Sequence, residues 1–199
     1  MAYKSILTVL TNPAEASLAI NAAARIAQSQ NAHLDVLVLG VDRTQVGYSY
    51  IGSGAVLMQV ALDRAEADAR GLEKAAKAAI AEQGIDLRWS METVVTQLGA
   101  LTDLVASRAR FADLVVLPRP YGPEQGAEAE AVVEAALFEG RVPVLVLPAK
   151  GLGENTLPRR FGQRCRLFQR ADCCGEMVRR RHAFAGEARG EDQRGRAEL

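Results

Sequence analysis

Residues 115–131, VVLPRPYGPEQGAEAEA, begin as an apolar run and end in an acidic helical pattern. The turn between them holds Pro118, Arg119, Pro120, Tyr121 and Gly122. In an α/β protein a strand-to-helix turn of this kind is where backbone N–H groups converge to hold an anion. Pro118 and Pro120 have no N–H to offer, and Glu130 brings a carboxylate towards the helix start. Arg119 could bind a carboxylate or small anion through its forked guanidinium, or it could lie on the surface paired with Glu124 or Glu128. Other reactive side chains are sparse. His33 is the only His before position 150 and the first 150 residues contain no Cys, so His-based catalysis, a thiol nucleophile and a metal site in that region find no support. Ser and Asp occur without a nucleophile elbow. Cys165, Cys173, Cys174 and His182 match no familiar zinc-ligand spacing, and Arg179–Arg180–Arg181 sits among acidic residues without a folded platform for nucleic acid.

The elements that would position the turn follow from hydrophobic periodicity. Residues 4–10 are β-prone and apolar. After them, Ala16, Ala19, Ile20, Ala23, Ile26 and Ala27 fall on one helical face, with Asn12 as N-cap, Pro13 in the first helical position and Glu15 two residues on. Residues 33–41 read as a second strand, and Ala55 to Gln83 as a long helix closing on Gly84. The connection GYSYIGSGA, residues 47–55, could be a lid hinged on its glycines, with Tyr48 and Tyr50 as covers, or a plain flexible loop. Residues 86–95 alternate as a half-exposed strand containing Trp89, Leu98 to Arg110 is helical, 112–118 is a buried strand, Glu128 to Glu139 is helical, and VPVLVLP at 142–148 ends the series. Alternating strands and helices predict an α/β fold, a five-stranded parallel sheet covered on both faces. Right-handed crossovers, with the most apolar strands central, favour the order 3-2-1-4-5. Its switch point lies between the first and fourth strands, so a ligand crevice is expected over Thr11, Asn12, Pro118 and Arg119, with Val41 and Asp42 at the end of the second strand.

At 199 residues and 49% hydrophobic, the chain suits one domain, residues 1–150, with an appendage, residues 151–199. Lys+Arg and Asp+Glu balance at 24 each, which gives no electrostatic reason to seek nucleic acid or an anionic membrane. The N-terminal apolar run is too short for a signal segment and nothing later approaches a membrane span, so a cytoplasmic location is expected.

YKSILTVLTNPAEASLAINAAARIA, ADLVVLPRP and GRVPVLVLP together resemble the universal stress protein (UspA-like) family over residues 2 to 148. The resemblance implies a Rossmann-like fold of the adenine nucleotide alpha hydrolase type. ATP-binding members end the first strand on an Asp and carry G-x2-G-x9-G-[ST] after the fourth. Here Thr11 stands at the Asp position, the first two glycines fall near Pro118 and Tyr121 or Gly122, and Glu130-Ala131 replaces the final Gly-[ST]. These departures imply the non-ATP branch: no cofactor, no ATP binding, no enzymatic activity, and action through binding an unidentified small ligand and through self-association. The alternative is a nucleotide-binding or weakly ATP-hydrolysing stress protein with an atypical phosphate loop. Members of the family pair through the fifth strand, which implies a homodimer through Val142, Val144 and Val146.

Beyond residue 150 the composition shifts to Arg, and residues 161–199 hold one β-branched residue, Val178. This predicts a largely disordered tail. Because family members often carry two domains in tandem, an out-of-frame remnant of a second domain would account for the shift, and sequencing the gene checks it.

Overall fold

The computed structural model describes residues 3–43, 54–83, 87–122 and 125–148. The expected lid apart from the start of its following helix, the C-cap at Gly84, Glu124 and the tail lie outside them. Each strand ends in a short turn into a helix. The strand β1 (Ser5–Leu10) is followed by α1 (Pro13–Gln30), β2 (His33–Asp42) by α2 (Gly54–Ala81), and β3 (Arg88–Gln97) by a 3₁₀ turn and α3 (Leu101–Ala109). Then β4 (Leu114–Leu117) leads to α4 (Ala127–Glu134), whose last turn widens into a π-helical segment at Ala135–Glu139, and β5 (Val144–Val146) closes the sheet.

The five strands are parallel in the order β3-β2-β1-β4-β5, as the sequence predicts. Alternation along β1 explains the two-sided core. Ile6 and Leu10 join Leu34, Val36 and Val38 beneath α1 and α2, whereas Leu7 and Val9 join Leu37 and Leu39 beneath α3 and α4. Each fully buried Leu or Ile contributes about 1.5–3 kcal/mol through the apolar area it removes from water. Thr8, the buried polar residue of β1, spends its hydroxyl on the Val116 carbonyl at 2.9 Å, tying β1 to β4.

Local signals set the start and end of α1. The Asn12 side chain accepts from the Ala14 N–H at 3.0 Å with Pro13 behind it, so the expected cap is formed. Asn31 ends the helix in the left-handed conformation, φ 50°, its N–H reaching the Ala27 and Gln28 carbonyls. Near the carboxyl end of β2, Gly40 lets α2 lie directly on the sheet: a Cβ there would stand 2.3 Å from the Ala65 carbonyl oxygen and 2.8 Å from the Ala69 Cβ.

Register determines which strand ends project. Leu10 pairs with Val38, so β2 runs on to Asp42 beyond the end of β1, and β3 accompanies it to Gln97. This overhang carries Asp42 and Arg43 past the rest of the sheet.

Candidate functional site

At the carboxyl ends of β1 and β4, the candidate crevice lies at the reversal of strand order. Thr11 and Asn12 are half-buried between β1 and α1, Pro118 is half-buried after β4, Arg119 is exposed and Pro120 is buried. Gly122 sits at φ 155°, where a Cβ would come within 3.1 Å of Arg119 Nη2, so the Arg119 guanidinium folds back over its own turn. Gln125 closes the gap towards α1, donating from Nε2 to Glu15 Oε1 at 2.6 Å.

The first turn of α4 has no N-cap side chain, because its cap position is Gly126. The end is served instead by Glu128, which is 5% exposed. Its carboxylate lies back over Gly126, where a Cβ would meet Glu128 Oε2 at 2.2 Å, so any side chain there would have to displace the carboxylate. Arg43, from the overhanging end of β2, donates to Glu128 Oε1 from Nε at 3.1 Å and again from Nη2. Burial alone would push the Glu128 carboxyl up, but the Arg43 hydrogen bond, the bond from the Glu128 backbone N–H and the guanidinium charge together hold it below the usual carboxylate value. The same hydrogen bond raises Arg43. The helix end thus carries an internal anion with its own countercation.

This corrects one expectation: Glu128 pairs with Arg43, not with Arg119. The remaining candidates separate. Val41 is buried in the core under α3 and α4, Glu130 is half-buried in the first turn of α4, and Ala131 packs against that same core. Asp42, 7% exposed, faces the other way and lines a cleft of about 390 Å³ with Met58, Gln59 and Leu62 of α2 and Val95, Thr96 and Gln97 of β3. Val142 and Val144, expected at a subunit interface, are turned into the domain's own core, and of the three interface candidates Val146 alone is exposed, at 39%.

A polar cluster at the opposite end of the sheet was not foreseen. His33 Nε2 lies 3.1 Å from Ser90 Oγ and 3.3 Å from Asp35 Oδ1, Ser90 Oγ donates to Asp35 Oδ1, and Ser5 Oγ donates to Asp35 Oδ2 at 3.1 Å. Ser90 and Asp35 meet the same ring nitrogen, whereas an acid–base–nucleophile relay needs one on each. The cluster cross-links β1, β2 and β3. Register could have found it only once known, since Ser5 stands opposite His33 and Asp35 opposite Ser90. Among the described residues, no group of three or more His, Cys, Asp or Glu could hold a metal ion.

No protein-family model and no curated protein matches the chain. Solved structures do. A universal stress protein UspA from Lactobacillus plantarum superposes with TM-score 0.51 at 19% identity, covering 74% of this chain and 99% of that one. A universal stress protein family member from Burkholderia pseudomallei gives 0.45 at 23% identity, covering 74% and 97%. A universal stress protein in complex with cAMP gives 0.40 at 23% identity, covering 74% and 98%. By its fold, this chain is a universal-stress-protein-like α/β domain.

Proposed function

We propose that this chain acts in the cytoplasm as a non-enzymatic stress-response protein that works by binding and self-association and has no grip on ATP. The observation that carries this reading is Glu128. In this fold the start of α4 is where backbone N–H groups and the helix dipole favour a phosphate, and here a carboxylate of the chain itself lies there, held by Arg43. A polyphosphate approaching the same N–H groups would meet a buried negative charge and would have to displace a satisfied ion pair. Thr11 in place of an acidic strand end, and Pro118 and Pro120 without N–H groups, weaken the crevice further. The placement in stress response rests on likeness of fold; in support of a cytoplasmic place, no described helix is long and apolar enough to cross a membrane.

Calorimetric titration with ATP, AMP and cAMP tests the reading. The expected result is no saturable heat at micromolar protein. A dissociation constant near 1 μM, about −8 kcal/mol, for any of the three would replace it with the nucleotide-binding alternative.

A further inference from the structure

Past the end of β1, β2 and β3 run on as a two-stranded ribbon, with Leu39 to Asp42 beside Val94 to Gln97. The helix α2 touches this ribbon at Gly40, through Ala65 and Ala69. One and two turns earlier the same face of α2 carries Leu62 and Met58, which are 40% and 46% exposed, so contact with the ribbon is not continued there. The gap is the cleft of about 390 Å³ bounded by Asp42, Met58, Gln59, Leu62, Val95, Thr96 and Gln97. Its volume falls within the range of small-molecule sites, about 300–1,000 Å³. It lies over β2 and β3, whereas the crevice at the strand-order reversal lies over β1 and β4.

Met58, Leu62 and Val95 give the cleft apolar walls, and its polar groups are chiefly acceptors. Gln59 donates from Nε2 to Asp63 Oδ1 at 2.8 Å, and the Thr96 hydroxyl donates to the Gln97 carbonyl at 3.3 Å. Each therefore keeps an acceptor oxygen. Asp42 is the only ionisable residue among those lining the cleft and is 7% exposed. Arg43, the next cation along the chain, reaches instead to Glu128 on α4. A carboxylate accepts at about four positions, so Asp42 can take a donor from a ligand in addition to donors of the protein. A guest carrying negative charge would be set against this carboxylate in a partly dry cleft, and a purely apolar guest would cover the acceptors without replacing the water it expels. A cationic donor on an apolar body suits both halves of the lining, and the polarizable Met58 thioether can adapt to its shape.

We propose that the cleft between α2 and the carboxyl ends of β2 and β3 binds a small organic cation, an ammonium or guanidinium group on an apolar body, with the charged group at Asp42 and the body between Met58, Leu62 and Val95. This names a ligand class for the binding in the proposed function and does not depend on whether nucleotides bind at the crevice.

The full chain, labelled with ¹³C at its methionine methyl groups, tests this by titration with n-hexylammonium chloride. Met58 lines the cleft, and Met91, packed against the core under α1 and α2, serves as an internal control. The Met58 methyl resonance should move saturably with a dissociation constant of about 1 mM or below, while Met91 stays in place. Hexanol and hexanoate, which keep the apolar body without the cation, should bind about tenfold more weakly or worse. Asp42→Asn should weaken hexylammonium by about tenfold or more in calorimetry. Met58→Lys, at an exposed position, sets a cation of the chain itself beside the cleft and should do the same; it carries the test if Asp42→Asn does not fold by circular dichroism. The assignment is overturned by the absence of saturation up to about 10 mM, by hexanol or hexanoate binding as tightly as the amine, by a shift at Met91 without one at Met58, or by folded variants that keep the parent's affinity. Failure of the amine titration leaves the reading of the ATP crevice in place, and saturable heat with ATP leaves the amine result in place.

Discussion

Arg43 and Glu128 show how unequal the partners of one ion pair can be. The Arg43 side chain is 58% exposed, so when it loses its carboxylate it turns to water, whereas Glu128 is 7% exposed by side chain and has no such recourse. Removing Arg43 should therefore cost more than removing the charge of Glu128. Arg43→Ala should destabilise by about 1–3 kcal/mol, the penalty of a buried group stripped of its partner, and Glu128→Gln by roughly half of that; chemical denaturation of both variants and the double variant gives the coupling. The pH dependence follows from the direction of the shift. A carboxyl held below its unfolded value of about 4.3 contributes stability that is complete above that value and is lost as pH falls through the lower folded value. In Arg43→Ala burial becomes the larger remaining influence and raises the Glu128 carboxyl, which reverses the sign. The stability gap between the parent and Arg43→Ala should thus be widest near neutral pH and close as pH falls towards 4. A gap that is flat over this range would mean that Glu128 does not feel Arg43.

The elements were largely legible because their signals are local. Alternation in β1, the face of α1 and the cap at Asn12 are each written within a few residues, and they appear where expected. Strand order followed as well, since a half-exposed β3 belongs at an edge. What could not be read depends on register between distant segments. The overhang of β2 that brings Arg43 to α4, and the alignment that joins Ser5, His33, Asp35 and Ser90, exist only once the strands are placed. The turn at Pro118 follows its strand as the sequence predicts, but of the two acids offered to Arg119, Glu124 or Glu128, the second pairs with Arg43 for the same reason: Arg119 is near in sequence and Arg43 near in space. Gly40 belongs to this class too. In sequence it interrupts an apolar strand; in the structure it is the floor on which Ala65 and Ala69 rest. Gly40→Ala must push the rigid backbone of α2 off β2, and overpacking of this kind costs about 1–3 kcal/mol. A gain in thermal stability from this substitution, of the sort seen where glycine is merely flexible, would show that α2 does not lie against β2 as described.

At the scale of the molecule, the two sheet edges and the exposed apolar side chains decide whether the chain is self-sufficient. Each face of the sheet already has its own core beneath its helices. Among the described residues, what remains unpaired is backbone at the outer edges of β3 and β5, together with exposed Trp89, Phe111, Tyr121 and Phe138. If a second copy satisfies them, association is linked to folding by mass action, and any species that binds only the folded form raises its stability as its concentration rises. The midpoint of thermal unfolding should therefore climb with protein concentration for the parent chain, by a few degrees per hundredfold for a domain of this size. A parent midpoint that does not move with concentration would show that folding of the domain is complete without a partner, and that the free sheet edges are tolerated as they stand.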